Sequence, residues 1–374
     1  MAHPYPYENS AQMLYWPAHG PAFFEGWKLP EDTNHENLLC AEMCRLAYAD
    51  RGTVDRTLPG IKFELRHWIG GETAEQRGAT NGTDGFIATR DDGLTILAFR
   101  GTESNKPEDI LTDALASSVP WTARGKVHRG FARTYALVRG GINKALAGAD
   151  GRLLITGHSL GAGLATLAAA DLATRHRTLI TFGSPRVGDS DFKQGLADVT
   201  MRRFVDCCDL VTRIPPERFD EHDIETLFID LMPIDLRSEV IAMSLIRAIA
   251  AGLAGALAAL GVQPQYEHVC EATYGDRTGK LLQPPTSATT SAIAADQLAA
   301  RKAYRGSVTP DVAHLMRELV NAVFAAGVAR DAAAIRAAVR DFGARLFQGD
   351  PVPLRDLADH TPINYVSLFT GRVG

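Results

Sequence analysis

The 374-residue sequence is short of cysteine and of any pronounced charge bias, and both shortages narrow what the protein can be. Its five cysteines are Cys40, Cys44, Cys207, Cys208 and Cys270. They are odd in number, partly adjacent and too few for a disulfide framework, and no pair has the spacing of a zinc site. Cys40 and Cys44, one helical turn apart, read as small buried residues. A formal net charge of −5 gives nucleic acid no electrostatic reason to bind. The first 26 residues hold prolines, aromatics and a histidine but no apolar stretch of signal-peptide length. A cytoplasmic protein, or one secreted without a leader, is therefore expected. No metal or cofactor is implied by any motif. At 45% hydrophobic and 22% charged, the composition is that of an ordinary globular protein with ample core.

What is present is organised around Gly157-His158-Ser159-Leu160-Gly161-Ala162-Gly163. The apolar run 152–156 before it reads as a buried strand, and 164–173 after it reads as a helix. A Gly-x-Ser-x-Gly between strand and helix is a nucleophile elbow. The turn is so tight that the serine takes a strained backbone conformation and its neighbours must lack bulk, which Gly157 and Gly161 provide. Ala162 and Gly163 are expected to let the helix pack close to the sheet.

Around the elbow, 34–49 and 131–147 have helical periodicity. Strands are predicted at 85–89, 94–99, 178–183 and 201–206, with Asp91-Asp92-Gly93 as a hairpin turn. Strands alternating with helices around an elbow predict an α/β-hydrolase fold, a mostly parallel central sheet with helices on both faces. Beyond Pro216 the character changes. The stretch 240–262 is almost wholly apolar, with Ile241, Leu245, Ile249, Leu253 and Leu257 as a bulky stripe and Ala and Gly opposite. Its length would suit a membrane span, yet the stripe favours a buried or substrate-facing helix. Three alanine-rich helices are predicted near 292–304, 310–326 and 330–347. The chain, 1–374, is thus expected to be one α/β-hydrolase domain. It carries an apolar helical insertion at 220–262 and an α-helical insertion at 284–350, before a C-terminal histidine.

A serine hydroxyl is a poor nucleophile at neutral pH and needs a base, which in turn needs an orienting acid. Eleven histidines compete for the first role. In α/β-hydrolases the base follows the serine, which excludes His128. His158 lies inside the elbow and should pack beneath it. His176 reads as a helix cap, His222 lies in an acidic surface run, and His314 falls on the polar side of its helix. His268 and His360 remain, and the residues alone do not separate them. The oxyanion of acyl transfer needs backbone donors, one of them the N–H after the nucleophile, at Leu160.

Several blocks in one order resemble the fungal-type (class 3) lipase family. They are Phe99-Arg100-Gly101-Thr102, Lys126-Val127-His128-Arg129-Gly130-Phe131, the elbow itself, Thr181-Phe182-Gly183-Ser184-Pro185-Arg186-Val187-Gly188, and Asp209-Leu210-Val211-Thr212-Arg213-Ile214-Pro215-Pro216. Tyr266-Glu267-His268-Val269 and Asp359-His360 continue the series. The resemblance implies that Asp209, which opens the Asp-x-Val-Pro-x-x-Pro block, is the acid; Thr212 stands at that block's usual first proline. It implies that His360 is the base and that His268 is a second, non-catalytic histidine, with Cys270 in place of the usual glycine. It implies Thr102 as the second oxyanion donor. It also implies a lid at about 103–118, with Ile110, Leu111, Leu115 and Trp121 available to meet lipid. If Asp209 and His360 both serve Ser159, a single membrane span between them is excluded.

The expected activity is hydrolysis of carboxylic esters through an acyl-enzyme, with acylglycerols as substrates, met at an oil–water or membrane interface. Phospholipase A1 and short-chain carboxylesterase activity are the alternatives. A non-catalytic lipid-binding protein of the same fold stands further off.

Overall fold

The computed structural model describes residues 4–25, 33–70, 84–101, 117–148, 151–172, 176–230, 240–259, 264–282, 287–306, 331–346 and 349–373, with four short pairs between 314 and 326. Eight strands lie side by side: β1 (Phe63–Ile69), β2 (Gly85–Arg90), β3 (Thr95–Phe99), β4 (Leu153–His158), β5 (Arg177–Phe182), β6 (Thr200–Asp206), β7 (Ala272–Gly275) and β8 (Leu281–Leu282). Their spatial order is their chain order. β3 to β7 run parallel, while β1–β2, β2–β3 and β7–β8 pair antiparallel. Leu97, Ile155 and Leu179 stand in one row across β3, β4 and β5.

Period-two alternation sends the strand side chains to two cores. Phe86, Ala88, Ile96, Ala98, Leu154 and Ile180 face α1 (Thr33–Leu46), which supplies Leu39, Met43 and Leu46. Ile87, Leu97, Phe99, Ile155 and Leu179 face α2 (Arg129–Ala145) and α3 (Leu160–Asp171). Both layers are buried, as a parallel sheet covered on both faces requires. Gly163 is needed less for the sheet than for α2: a Cβ there would come within 2.9 Å of the Phe131 ring.

A third core is mainly helical, with Phe219, Tyr266 and Val352 added from connecting segments. α4 (Glu221–Asp230), α5 (Val240–Ala259) and α7 (Ala332–Leu346) pack around Phe228, Ile249, Leu253, Leu257, Val339 and Phe342. The predicted stripe of α5 therefore faces other helices; the side chains of Ile241 and Leu245 lie outside the described residues. Leu315 and Leu319 join the same core, while most of the predicted 310–326 helix lies outside the description. Between α5 and α7 in the chain, α6 (Ser287–Ala303) lies over the end of β6 through Ala300, which clusters with Cys207 and Cys208. Among the described residues, no helix is long and apolar enough to cross a membrane.

The chain then returns to the sheet through a short helix, Arg355–Ala358, and α8 (Pro362–Thr370), which packs on α1 and on β6. Tyr5–Pro6 pairs in parallel with Arg372–Val373. Neither this pairing nor β1, β7 and β8 was among the predicted elements. Thr102 and the predicted lid segment as far as residue 116 lie outside the described residues, while Ser118 opens a short strand, Ser118–Pro120, paired with Lys126–His128.

Candidate active site

β4 delivers Ser159 into the elbow at φ 59° and ψ −134°, a left-handed conformation that costs a non-glycine residue of order 1–3 kcal/mol. The surroundings hold it there. Ser159 N–H donates to the Phe182 carbonyl at 3.0 Å. A Cβ on Gly157 would lie 2.2 Å from the Gly161 carbonyl oxygen, and one on Gly161 would lie 2.6 Å from the carbonyls of Phe99 and Arg100. Both glycines are thus steric requirements of the turn. Leu160 opens α3, so its N–H is among the helix-terminal donors with no intrahelical acceptor.

Asp209 and His360 meet beside the end of β5. His360 Nδ1–H donates to Asp209 Oδ2 at 2.8 Å, and both side chains are buried. Asp209 Oδ2 also accepts the Tyr365 hydroxyl at 2.5 Å, while Oδ1 accepts Val211 N–H at 2.8 Å. Tyr365 is pushed well above the ordinary tyrosine value by burial and by the Asp209 carboxylate, so it stays a neutral donor. Gly183, at φ 57°, makes room for the pair: a Cβ there would come within 2.7 Å of Asp209 Oδ2 and 2.9 Å of the His360 ring. His360 Nε2, the far ring nitrogen, is buried and has no hydrogen-bond partner among the described residues.

Behind the base lies a second histidine. His158 Nε2–H donates to the His360 carbonyl at 2.9 Å, and the Tyr48 hydroxyl donates to His158 Nδ1 at 2.9 Å. The two imidazoles lie 4.4 Å apart, centre to centre. Burial, and then the neighbouring His360, hold His158 well below its ordinary value of 6.5, so it is neutral and its tautomer is set by these two partners. Tyr48 also touches the end of β3: a Cβ on Gly101 would lie 2.4 Å from its hydroxyl and 3.0 Å from Ser159 Cβ. The sequence placed His158 beneath the elbow; its hold on the backbone of His360, and the whole part played by Tyr48, carried no sequence signal.

His268 occupies a different place. Its Nε2–H donates to the Thr212 carbonyl at 2.8 Å, which ties it to the turn that follows Asp209. Burial, with Arg203 and Arg186 nearby, holds it well below 6.5. His176, His222 and His314 are exposed. Trp121 is half-buried, and its ring packs edge-on against Phe192 at 6.1 Å and tilted against Tyr135 at 6.2 Å.

A mostly parallel sheet, an elbow serine at the end of its β4 strand and helices on both faces define an α/β-hydrolase. Residues 96–219 match the family model described as lipase (class 3). The chain is 32% identical to a lipase of Rhizomucor miehei over 152 residues, 37% of this chain and 42% of the relative. It is 37% identical to phospholipase A1-IIgamma of Arabidopsis thaliana over 101 residues, 23% of each. The chain thus spans about two fifths of the length of the fungal relatives it matches. Among solved structures, the mono- and diacylglycerol lipase from Aspergillus oryzae is 25% identical with a TM-score of 0.40, covering 50% of this chain and 75% of that one.

Proposed function

We propose that the protein is a serine carboxylic-ester hydrolase acting on acylglycerols, with Ser159, His360 and Asp209 as its triad. The observation that carries this reading is the buried Asp209–His360 pair, whose Nε2 has no partner among the described residues and whose ring lies against His158, the neighbour of the strained elbow serine. In that role His360 Nε2 takes the Ser159 proton as the hydroxyl attacks the ester carbonyl. Asp209 keeps Nδ1 protonated and offsets the imidazolium charge. The Leu160 N–H, and Thr102 following Gly101, donate to the oxyanion. His360 returns the proton to the leaving alcohol, and water then releases the acid by the same steps in reverse order. Ile110, Leu111 and Leu115 belong to the segment that would cover the site and open at a lipid interface, where exposing an apolar inner face costs less than in water. The two helical segments, 220–262 and 284–350, supply one shared core and are proposed to act together as a cap that sets which acyl chain enters.

A second reading, phospholipase A1 activity, is favoured by the match to plant phospholipases A1. Rates on emulsified triacylglycerol, phosphatidylcholine vesicles and soluble short-chain esters, compared with fluorophosphonate labelling of Ser159, distinguish the readings. A rate that jumps when the substrate forms droplets is expected. A folded protein that neither labels nor hydrolyses any ester would sink the assignment.

A further inference from the structure

Cys207 and Cys208 form a turn directly after β6 and immediately precede Asp209. Cys207 has φ 27°, a left-handed value rare outside glycine. In an extended strand successive side chains point to opposite faces. The left-handed residue breaks that alternation and brings the two sulfurs 3.5 Å apart, both buried. An Asp359 carboxylate oxygen lies within 4.8 Å of both sulfurs. Asp296 Oδ2, on α6, lies 3.7 Å from Cys207 Sγ. Tetrahedral zinc, with bonds of about 2.3 Å to sulfur and about 2.0 Å to oxygen, sets its sulfurs roughly 3.8 Å apart and sulfur to oxygen roughly 3.5 Å apart. A disulfide would need the sulfurs at about 2.05 Å. The sulfur–sulfur separation and the 3.7 Å from Cys207 Sγ to Asp296 Oδ2 are close to those of shared coordination, and Asp359, within 4.8 Å, would close in on a bound ion.

We propose that Cys207, Cys208, Asp359 and Asp296 form a binding site for a thiophilic divalent cation, Zn²⁺ or Cd²⁺. On binding, two S–H bonds break, two protons leave to solvent, two metal–sulfur bonds form, and no electrons are exchanged. The carboxylates complete the set. Asp359 Oδ2 accepts the Cys208 N–H at 2.9 Å and has a second lone pair for the metal. Its Oδ1 faces the Tyr7 hydroxyl at 3.0 Å and Arg355 Nε at 2.7 Å. Asp296 Oδ2 accepts Arg277 N–H at 2.8 Å, and its Oδ1 faces Arg277 Nε at 3.1 Å. Arg355 and Arg277 therefore offset charge that a lone dication would leave. Asp296 is 24% exposed and is the point of entry. The sequence hid this site because its ligands stand at 207, 208, 296 and 359, and only the fold unites them.

Two ligands adjoin triad positions in the chain, Cys208 next to Asp209 and Asp359 next to His360. A bound cation draws Asp359 towards the sulfurs and shifts His360 with it, so ester hydrolysis slows; this consequence, unlike the binding, rests on the proposed function. The test titrates Cd²⁺ into the reduced full chain and reads the ultraviolet thiolate-to-cadmium charge-transfer band. One cadmium per chain is expected. Cys207→Ser and Cys208→Ser should each diminish the band and weaken binding at least tenfold, and Cys270→Ser should change neither. Asp296→Asn, at the rim where folding is not at stake, should weaken binding about tenfold. No band in the folded, reduced protein, or a band that survives replacement of both Cys207 and Cys208, overturns the site. Hydrolysis unchanged at saturating cation, in a protein that binds it and hydrolyses ester, overturns the coupling alone.

Discussion

Asp209 distributes its lone pairs among three donors from different parts of the chain: Val211 N–H, the Tyr365 hydroxyl and His360 Nδ1. Each has a separate consequence. His360→Ala removes the proposed base and should lower ester hydrolysis on the order of 10⁴-fold, while fluorescence-monitored folding is retained. His268→Ala should keep most of the activity and cost stability, because its partner is the Thr212 carbonyl and not the carboxylate. The reverse pattern would reassign the base. Tyr365→Phe deletes a hydrogen bond to a buried charged group and should destabilise the protein by about 1.5–3 kcal/mol in urea unfolding. An unchanged midpoint would mean that the hydroxyl contributes nothing to holding Asp209.

Among the elements, α6 is joined to the segment that carries His360 by a nearly dry ion pair. Arg301 Nε lies 2.9 Å from Asp356 Oδ2, and the two side chains are 10% and 4% exposed. Asp356 belongs to the Arg355–Ala358 helix, directly before His360. Arg301→Ala would take a bidentate cationic partner from a buried carboxylate and should cost up to about 3–5 kcal/mol of stability. It should also reduce hydrolysis at temperatures where the protein is still folded. Full activity in Arg301→Ala would separate α6 from the placement of the base.

The elements were unevenly legible. β2 to β6 were read from the sequence because each carries a cluster of apolar or β-branched residues. β1 escaped because it lies at the sheet edge, where Glu64 and Arg66 are exposed, and a bulge between Leu65 and His67 breaks its alternation. β7 and β8, of four and two residues, are too short to carry a period. α1 ends at Leu46, three residues before the predicted end, in a turn that extends to Ala49.

At the scale of the whole molecule, stability depends on two histidines that are buried without charge. His158 and His268 are held well below 6.5, chiefly by desolvation. In the unfolded chain they bind protons near pH 6.5, whereas in the folded protein they do not. Below that pH the unfolded state binds more protons, so stability declines as pH falls; above it both states are neutral and the penalty vanishes. The thermal midpoint should therefore drop as pH is lowered from about 7 to about 5, with a shallower slope in His268→Gln. Equal slopes in variant and wild type would remove His268 as a contributor. Ser159 was legible because its motif is local. The Asp209–His360 contact spans 151 positions, and the residues alone had left His268 and His360 level.

The segment bearing His360 is also gripped by residues near the start of the chain. Glu8 N–H and its carbonyl bond the Asn364 side chain at 2.9 and 2.7 Å, the Tyr7 hydroxyl reaches Asp359, and Tyr5 N–H reaches the Gly371 carbonyl at 3.2 Å. This geometry has a bearing on biosynthesis. On the ribosome Ser159 and Asp209 appear long before position 360, and the bonds that residues 5–8 make to Asp359, Asn364 and Gly371 must wait until α8 is made. A nascent chain bearing the elbow thus has no base to activate it. The proposed hydrolase is assembled only as early and late segments close on each other, so its timing is set by the order of translation.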